Sequence, residues 1–128
     1  MLEKRVMFAI TLLAICIFLG ASGQICWKYG MSNMDRINDV NSLLQPETIQ
    51  NILTNKYIIL GLVLYGCTFF LWLSAMSTLD VSFMYPMLSL AYVLTALLAF
   101  YFLGEQISIL RWSGIILVVL GCILIMKS

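Results

Sequence analysis

The sequence predicts an all-α integral membrane protein with four transmembrane helices, and three observations carry that reading. Of its 128 residues 62% are hydrophobic and only 10% charged, against about 25% charged in soluble domains. The apolar residues fall into four runs, each near the roughly 20 residues that a helix needs to cross a bilayer. The three connections between these runs are unequal, and only one of them is long and polar.

The first span covers about residues 6–29, its apolar body running from Val6 to Trp27. The start, MLEKR, with small residues at Ala21-Ser22-Gly23, has features of a secretory signal. Its apolar run exceeds the 7–15 residues of such signals, however, and more membrane-like sequence follows, so the segment is expected to remain as a span. The second span covers 57–77 and the third 81–103. Only Ser77-Thr78-Leu79-Asp80 joins them, which predicts a tight antiparallel hairpin. The fourth is short if counted from Trp112 to Met126, but Ser108 is a suitable N-cap and extends it to 108–127. Gly104-Glu105-Gln106-Ile107 leads into it.

The connection over residues 31–56 is rich in Asn and Asp. Within it Pro46-Glu47-Thr48-Ile49 has the marks of a helix start, proline first and an acid in the first turn. Ile49, Ile52 and Leu53 would share a face, giving a short helix on the membrane surface. The expected organisation is thus a single four-helix membrane domain over 1–128. With both termini on one side, that side holds Lys4, Arg5 and Lys127, and the opposite side Lys28, Arg36, Lys56 and Arg111. Three against four sets no orientation by positive charge. Lys28, Lys56, Glu105 and Arg111 nevertheless share one side, and Asp80, Tyr85 and Pro86 lie near the other.

Several classes of function are disfavoured. The chain has no histidine, and Cys16, Cys26, Cys67 and Cys122 each lie within an apolar run, which supports neither a disulfide framework nor a metal site. A net charge of +1 argues against a nucleic-acid partner. No nucleophile–base pair stands out, so no enzyme activity and no cofactor are expected.

Three constellations remain. Gly20, Gln24 and Lys28 recur at four-residue steps and stack on one face of the first span. Lys28 alone reads as a lysine reaching the interface beside Trp27 and Tyr29. Gln24, one turn deeper, does not fit that reading, because an unpaired amide in hydrocarbon costs roughly 2–7 kcal/mol. Together the three describe a polar wall. In SFMYPMLSLAYVL, Pro86 removes a backbone bond and predicts a kink, while Tyr85, Ser89 and Tyr92 share a face able to line a cavity. Glu105 and Arg111 sit at helix ends where the dipole disfavours each charge. They would pair across the turn, or Glu105 would cap the fourth span while Arg111 meets an anionic headgroup. Gly114 and Gly121, with Ser113 and Cys122 beside them, permit close helix approach and suggest an oligomer seam.

The run YPMLSL, the Gly-Glu after the third span, GIILVVLGCILI and the GQ-x-C-x-K of GQICWK together resemble the drug/metabolite transporter superfamily. They are most similar to its half-size, four-helix members. These include the small multidrug resistance transporters and the subunits of the aminoarabinose-phosphoundecaprenol flippase. Two departures stand out. Small multidrug resistance proteins carry a span-one glutamate eight residues before a lysine, and that place is Gly20 here. The first connection is also longer than in the flippase subunits. The resemblance implies a subunit of a flippase that moves a polyprenyl-phosphate-linked sugar across the cell membrane, as a homodimer or with a second four-helix subunit. Lys28 and Arg111 would meet the phosphate, with Gln24, Ser89, Tyr85 and Tyr92 near the sugar and Glu105 nearby. The alternatives are an exporter of small molecules or cations and a non-transporting membrane adaptor.

Overall fold

The computed structural model describes residues 2–128, and the regular structure among them is helical. In chain order α1 is Leu2–Ser32, α2 Val40–Leu44, α3 Pro46–Thr54, α4 Lys56–Met76, α5 Val81–Met87, α6 Ser89–Phe102 and α7 Ile109–Lys127. Four segments are long and apolar enough to cross a membrane: α1, α4, α5 with α6, and α7. With 31 residues, α1 is about 46 Å long at 1.5 Å per residue. It therefore exceeds a hydrocarbon core of roughly 30 Å.

The first connection holds two helices, where the sequence pattern pointed to one. Asp39 caps α2 by accepting hydrogen bonds from the Ser42 amide, 2.7 Å, and the Ser42 hydroxyl. These bonds hold the Asp39 carboxyl below the usual aspartate range. α3 starts on Pro46 with Glu47 in its first turn. Ile49 and Leu53 stay exposed, so the chain itself leaves that apolar stripe uncovered.

The third span is divided. α5 contains Pro86 and stops at Met87, α6 resumes at Ser89, and Leu88 between them keeps right-handed angles (φ −58°, ψ −24°). Pro86 has no N–H to offer the preceding turn. Beyond it the Ala91 amide bonds to Leu88 O, three residues back, at 2.9 Å. α7 begins as its cap predicts, Ser108 Oγ accepting from the Arg111 amide at 3.2 Å.

All spans meet at the end that carries both termini. Ala9, Leu12 and Leu13 of α1, Ala75 of α4, Met84 and Met87 of α5 and Cys122 of α7 form the buried core there. Toward the other end the bundle parts into two leaves. α1 packs along α4 and also touches α6, α7 packs on α5 and α6, and α4 and α6 are not closely packed on each other.

The α1–α4 leaf is locked along its length. Gly23 and Gly61 let the helices approach: a Cβ on Gly61 would stand 2.5 Å from Trp27 Cδ1 and 2.8 Å from Gly23 O. The indole of Trp27 donates to Ile58 O at 3.1 Å. Asn55 closes the end, its side-chain oxygen accepting from the Tyr57 and Ile58 amides (2.9 and 3.3 Å) and its nitrogen donating to Gly30 O (3.2 Å). Gly30 fits because a Cβ there would meet Asn55 Oδ1 at 2.9 Å.

Candidate functional site: a cleft between two leaves

The gap between α4 and α6, backed by α1, is a cleft of about 790 Å³. That volume lies in the usual range for small-molecule sites, roughly 300–1,000 Å³. α1 contributes Cys16, Gly20, Ala21 and Gln24, of which Gly20 and Gln24 belong to the stripe that four-residue spacing predicts. α4 contributes Tyr65, Thr68, Phe69 and Trp72, and the opposite wall is Tyr85, Tyr92, Thr95 and Ala99. Glu105, Ile107 and Arg111 complete one end. Near the closed end Trp72 and Tyr85 meet edge to face across the two leaves, 5.5 Å between ring centres. Higher on α4, Tyr65 lies 5.0 Å from Trp27, so the lock and the wall share a ring contact.

The hydrogen-bonding groups are sparse and distinct. Thr68 and Thr95 hydroxyls donate to their own helices, to Tyr65 O (2.6 Å) and Ala91 O (2.7 Å), which leaves them acceptors for a ligand. Cys16 donates to Thr68 O at 3.6 Å, tying α1 to α4 at the back of the cleft. Gln24 is exposed and Glu105 half-buried.

The two charged wall residues are held by the ends of neighbouring helices. Gly104 has φ +67°, a left-handed angle that glycine adopts without a Cβ penalty. The turn it makes returns the Glu105 amide to Ala99 O at 3.2 Å. Arg111 is fixed by the Ser108 cap at the start of α7. The alternative in which Glu105 caps the fourth span is therefore corrected: the Ser108 hydroxyl fills that place. Glu105 and Arg111 form no ion pair, their charged groups standing more than 4.0 Å apart.

Five of the seven proposed binding residues thus line one cleft: Gln24, Tyr85, Tyr92, Glu105 and Arg111. Two do not. Lys28 shares the stripe of Gln24 but lies a turn further on, exposed at the end of α1 and off the cleft wall. Ser89 is turned toward α7: its hydroxyl bonds Pro86 O and lies 3.1 Å from Cys122 Sγ, satisfying a carbonyl at the helix joint. The α4 wall was missed by the sequence reading, although Tyr65, Phe69 and Trp72 recur at helical spacing. Gly114 and Gly121 line no contact within the chain; nothing lies within 4 Å of a Cβ placed on either.

Comparison with known proteins agrees with this architecture. The EamA-like transporter family matches residues 41–127. A probable 4-amino-4-deoxy-L-arabinose-phosphoundecaprenol flippase subunit ArnE from Pectobacterium atrosepticum is 33% identical over 110 residues, covering 86% of this chain and 90% of that protein. The protein of the same description from Yersinia pseudotuberculosis is 30% identical over 113 residues, 88% of this chain and 91% of its own length. No solved structure matches the chain. Four apolar spans and these relatives make it a multi-pass transporter of the inner membrane. The chain belongs to the EamA-like transporter family.

Proposed function

We propose that this chain is a subunit of a flippase for a polyprenyl-phosphate-linked sugar, working with a second four-helix subunit and performing no chemistry on the lipid. The observation that carries the reading is the cleft itself. It is aromatic and apolar along its walls, has both its charges at one end, and is closed at the end of the buried core. A lipid with a charged head and an apolar tail matches that polarity. Arg111 offers a planar fork of donors to the phosphate. Gln24 and Tyr92 offer an amide and a phenol to sugar hydroxyls, and Lys28, just beyond the wall, is a second cation on the approach. The prenyl chain leaves between α4 and α6 into lipid.

A cleft closed at one end gives access from a single side, so a complete path needs a second subunit. The open face of Gly114 and Gly121 on α7 is the proposed seam for it. Export of cations by proton coupling would call for a carboxylate within a span. Gly20 occupies the relevant place in α1, and Glu105 stands in the connection between α6 and α7.

The test is translocation of the lipid-linked sugar in vesicles holding the chain and its partner subunit. Arg111→Ala is expected to slow it at least tenfold, the scale of one lost charge-assisted hydrogen bond of about 1.5–3 kcal/mol. Lys28→Ala is expected to slow it less. Wild-type rates in both variants would remove the phosphate site from the proposal.

A further inference from the structure

We infer that α2 and α3 together form a strap on the bilayer surface, their joint apolar face set into the acyl boundary of one leaflet by buried area and not by charge. The sequence pattern offers one stripe on one helix. The second helix, α2, doubles that surface, and the polar cavity behind the two is thereby held toward water. The inference is independent of the flippase reading.

Both short helices are two-faced. At 3.6 residues per turn, Val40, Leu43 and Leu44 share one side of α2, and Ile49 and Leu53 one side of α3. Val40, Leu44 and Leu53 are 67%, 62% and 69% exposed, and neither helix has a residue buried within the chain. The opposite sides carry Ser42, Thr48, Asn51 and Thr54, which line a separate polar cavity of about 620 Å³. A contiguous apolar surface backed by a polar one marks a contact with something outside the chain.

Connectivity says what that contact is. Asn55 alone separates α3 from α4, which is long and apolar enough to cross the membrane. The joint is fixed, since the Asn55 side chain caps α4 through the Tyr57 and Ile58 amides and donates to Gly30 O of α1. Leu53 therefore stands three residues before the span begins at Lys56. Beside that start lie the Tyr29–Tyr57 ring pair, 4.6 Å between centres, and the Lys56 ammonium 5.1 Å from the Tyr57 ring centre. Tyrosine and lysine gather where head groups meet acyl chains. Ile59 and Leu60, exposed on the first turn of α4, continue the apolar surface into the span. A strap tied at this depth meets lipid.

The charge pattern sets the mode of attachment. Interfacial helices commonly carry Lys and Arg on the polar face, which attract anionic lipid. Residues 40–54 hold neither, and Glu47 is their single charged side chain. Binding by apolar area alone is indifferent to lipid charge and to salt screening.

The experiment follows amide hydrogen exchange in the purified full-length chain without a second subunit. The chain is placed in nanodiscs of phosphatidylcholine, or of phosphatidylcholine mixed equally with phosphatidylglycerol. Protection of the α3 amides is expected to be the same in both and to persist at high salt. Leu53→Asn should lower it roughly tenfold, the factor for one leucine side chain leaving an apolar setting. Leu53→Met should keep it, and Asn51→Ala on the cavity side should not reduce it. Unchanged protection of α4 reports that each variant is folded. A nitroxide on Leu44→Cys, with the native cysteines replaced by alanine, gives a second reading. Oxygen should reach it and a water-soluble nickel chelate should not, whereas the same label on Asn51→Cys should meet the chelate. Protection that requires phosphatidylglycerol or is lost at high salt would overturn attachment by area. Protection that arises only when a second subunit is added would give the face to a protein contact and overturn the strap, as would equal access of the chelate to both labels.

Discussion

Three glycines of the α1–α4 leaf and the two of α7 are the same residue facing two different surroundings. At Gly23, Gly30 and Gly61 the space left by the missing Cβ is already occupied, by Trp27, Asn55 and the facing backbone. At Gly114 and Gly121 it is empty. Helices in lipid gain little from the hydrophobic effect on pairing and depend on close van der Waals contact and interhelical hydrogen bonds. The first leaf therefore holds itself together within the chain. The second leaf presents an unfilled surface, and on the proposed reading a partner subunit fills it.

The largest effect is expected at Gly61. Gly61→Leu is expected to separate α1 from α4, with a loss of at least about 3 kcal/mol of unfolding free energy, the upper end of overpacking costs. Denaturation in mixed detergent micelles, followed by far-UV circular dichroism, measures it; wild-type stability would mean that Trp27 swings aside without cost. Asn55→Ala comes next, at about 1–2 kcal/mol for a lost helix cap and one hydrogen bond. Asn55→Asp sharpens the point, since it keeps the cap acceptor and loses only the donor to Gly30.

Replacing Gly114 and Gly121 together by leucine tests the other surface. Stability of the separate chain should change by no more than about 0.5 kcal/mol, while crosslinking to a second subunit falls. Crosslinking that survives the double change would make this face an ordinary lipid-facing one. The smallest effect concerns the first connection. Asp39 has its carboxyl lowered by the bonds from Ser42. Its contribution to α2 is therefore complete above the ordinary aspartate value of about 3.9 and is lost as pH falls through the lower folded value. The protection factor of the Ser42 amide, which allows for the slower intrinsic exchange in acid, should fall in acid in the wild type and be low throughout in Asp39→Ala.

The stripe Gly20–Gln24 was legible in the sequence because four-residue steps fix which face a helical side chain occupies. Lys28 shows where that logic stops: the same step gives the face but not the depth, and the cleft ends one turn earlier. Ser89 shows another limit. Its spacing from Tyr85 and Tyr92 suits one continuous helix, whereas the joint at Leu88 frees a carbonyl that its hydroxyl satisfies instead. The Ser108 cap could be read from local chemistry alone. The Gly61–Trp27 contact could not, since a glycine in a sequence shows that space exists and not what fills it. The α4 wall escaped notice because its aromatic residues look like any lipid-facing apolar run until α6 is seen to stand away from them.

The three tryptophans fall at three separate joints of the molecule. Trp27 lies in the α1–α4 lock with its indole bonded to Ile58 O. Trp72 lies on the cleft wall against Tyr85. Trp112, 6.0 Å from Phe100, lies where α7 meets α6. All three are half-buried, so their emission is sensitive to any change in local polarity. Variants that keep one tryptophan and replace the other two with phenylalanine would act as optical gauges built from the native sequence. The Trp27 gauge would stay steady while the leaves move, the Trp72 gauge would follow occupancy of the cleft, and the Trp112 gauge would follow the second leaf. Motion and binding could then be timed separately in the same chain, without an attached dye.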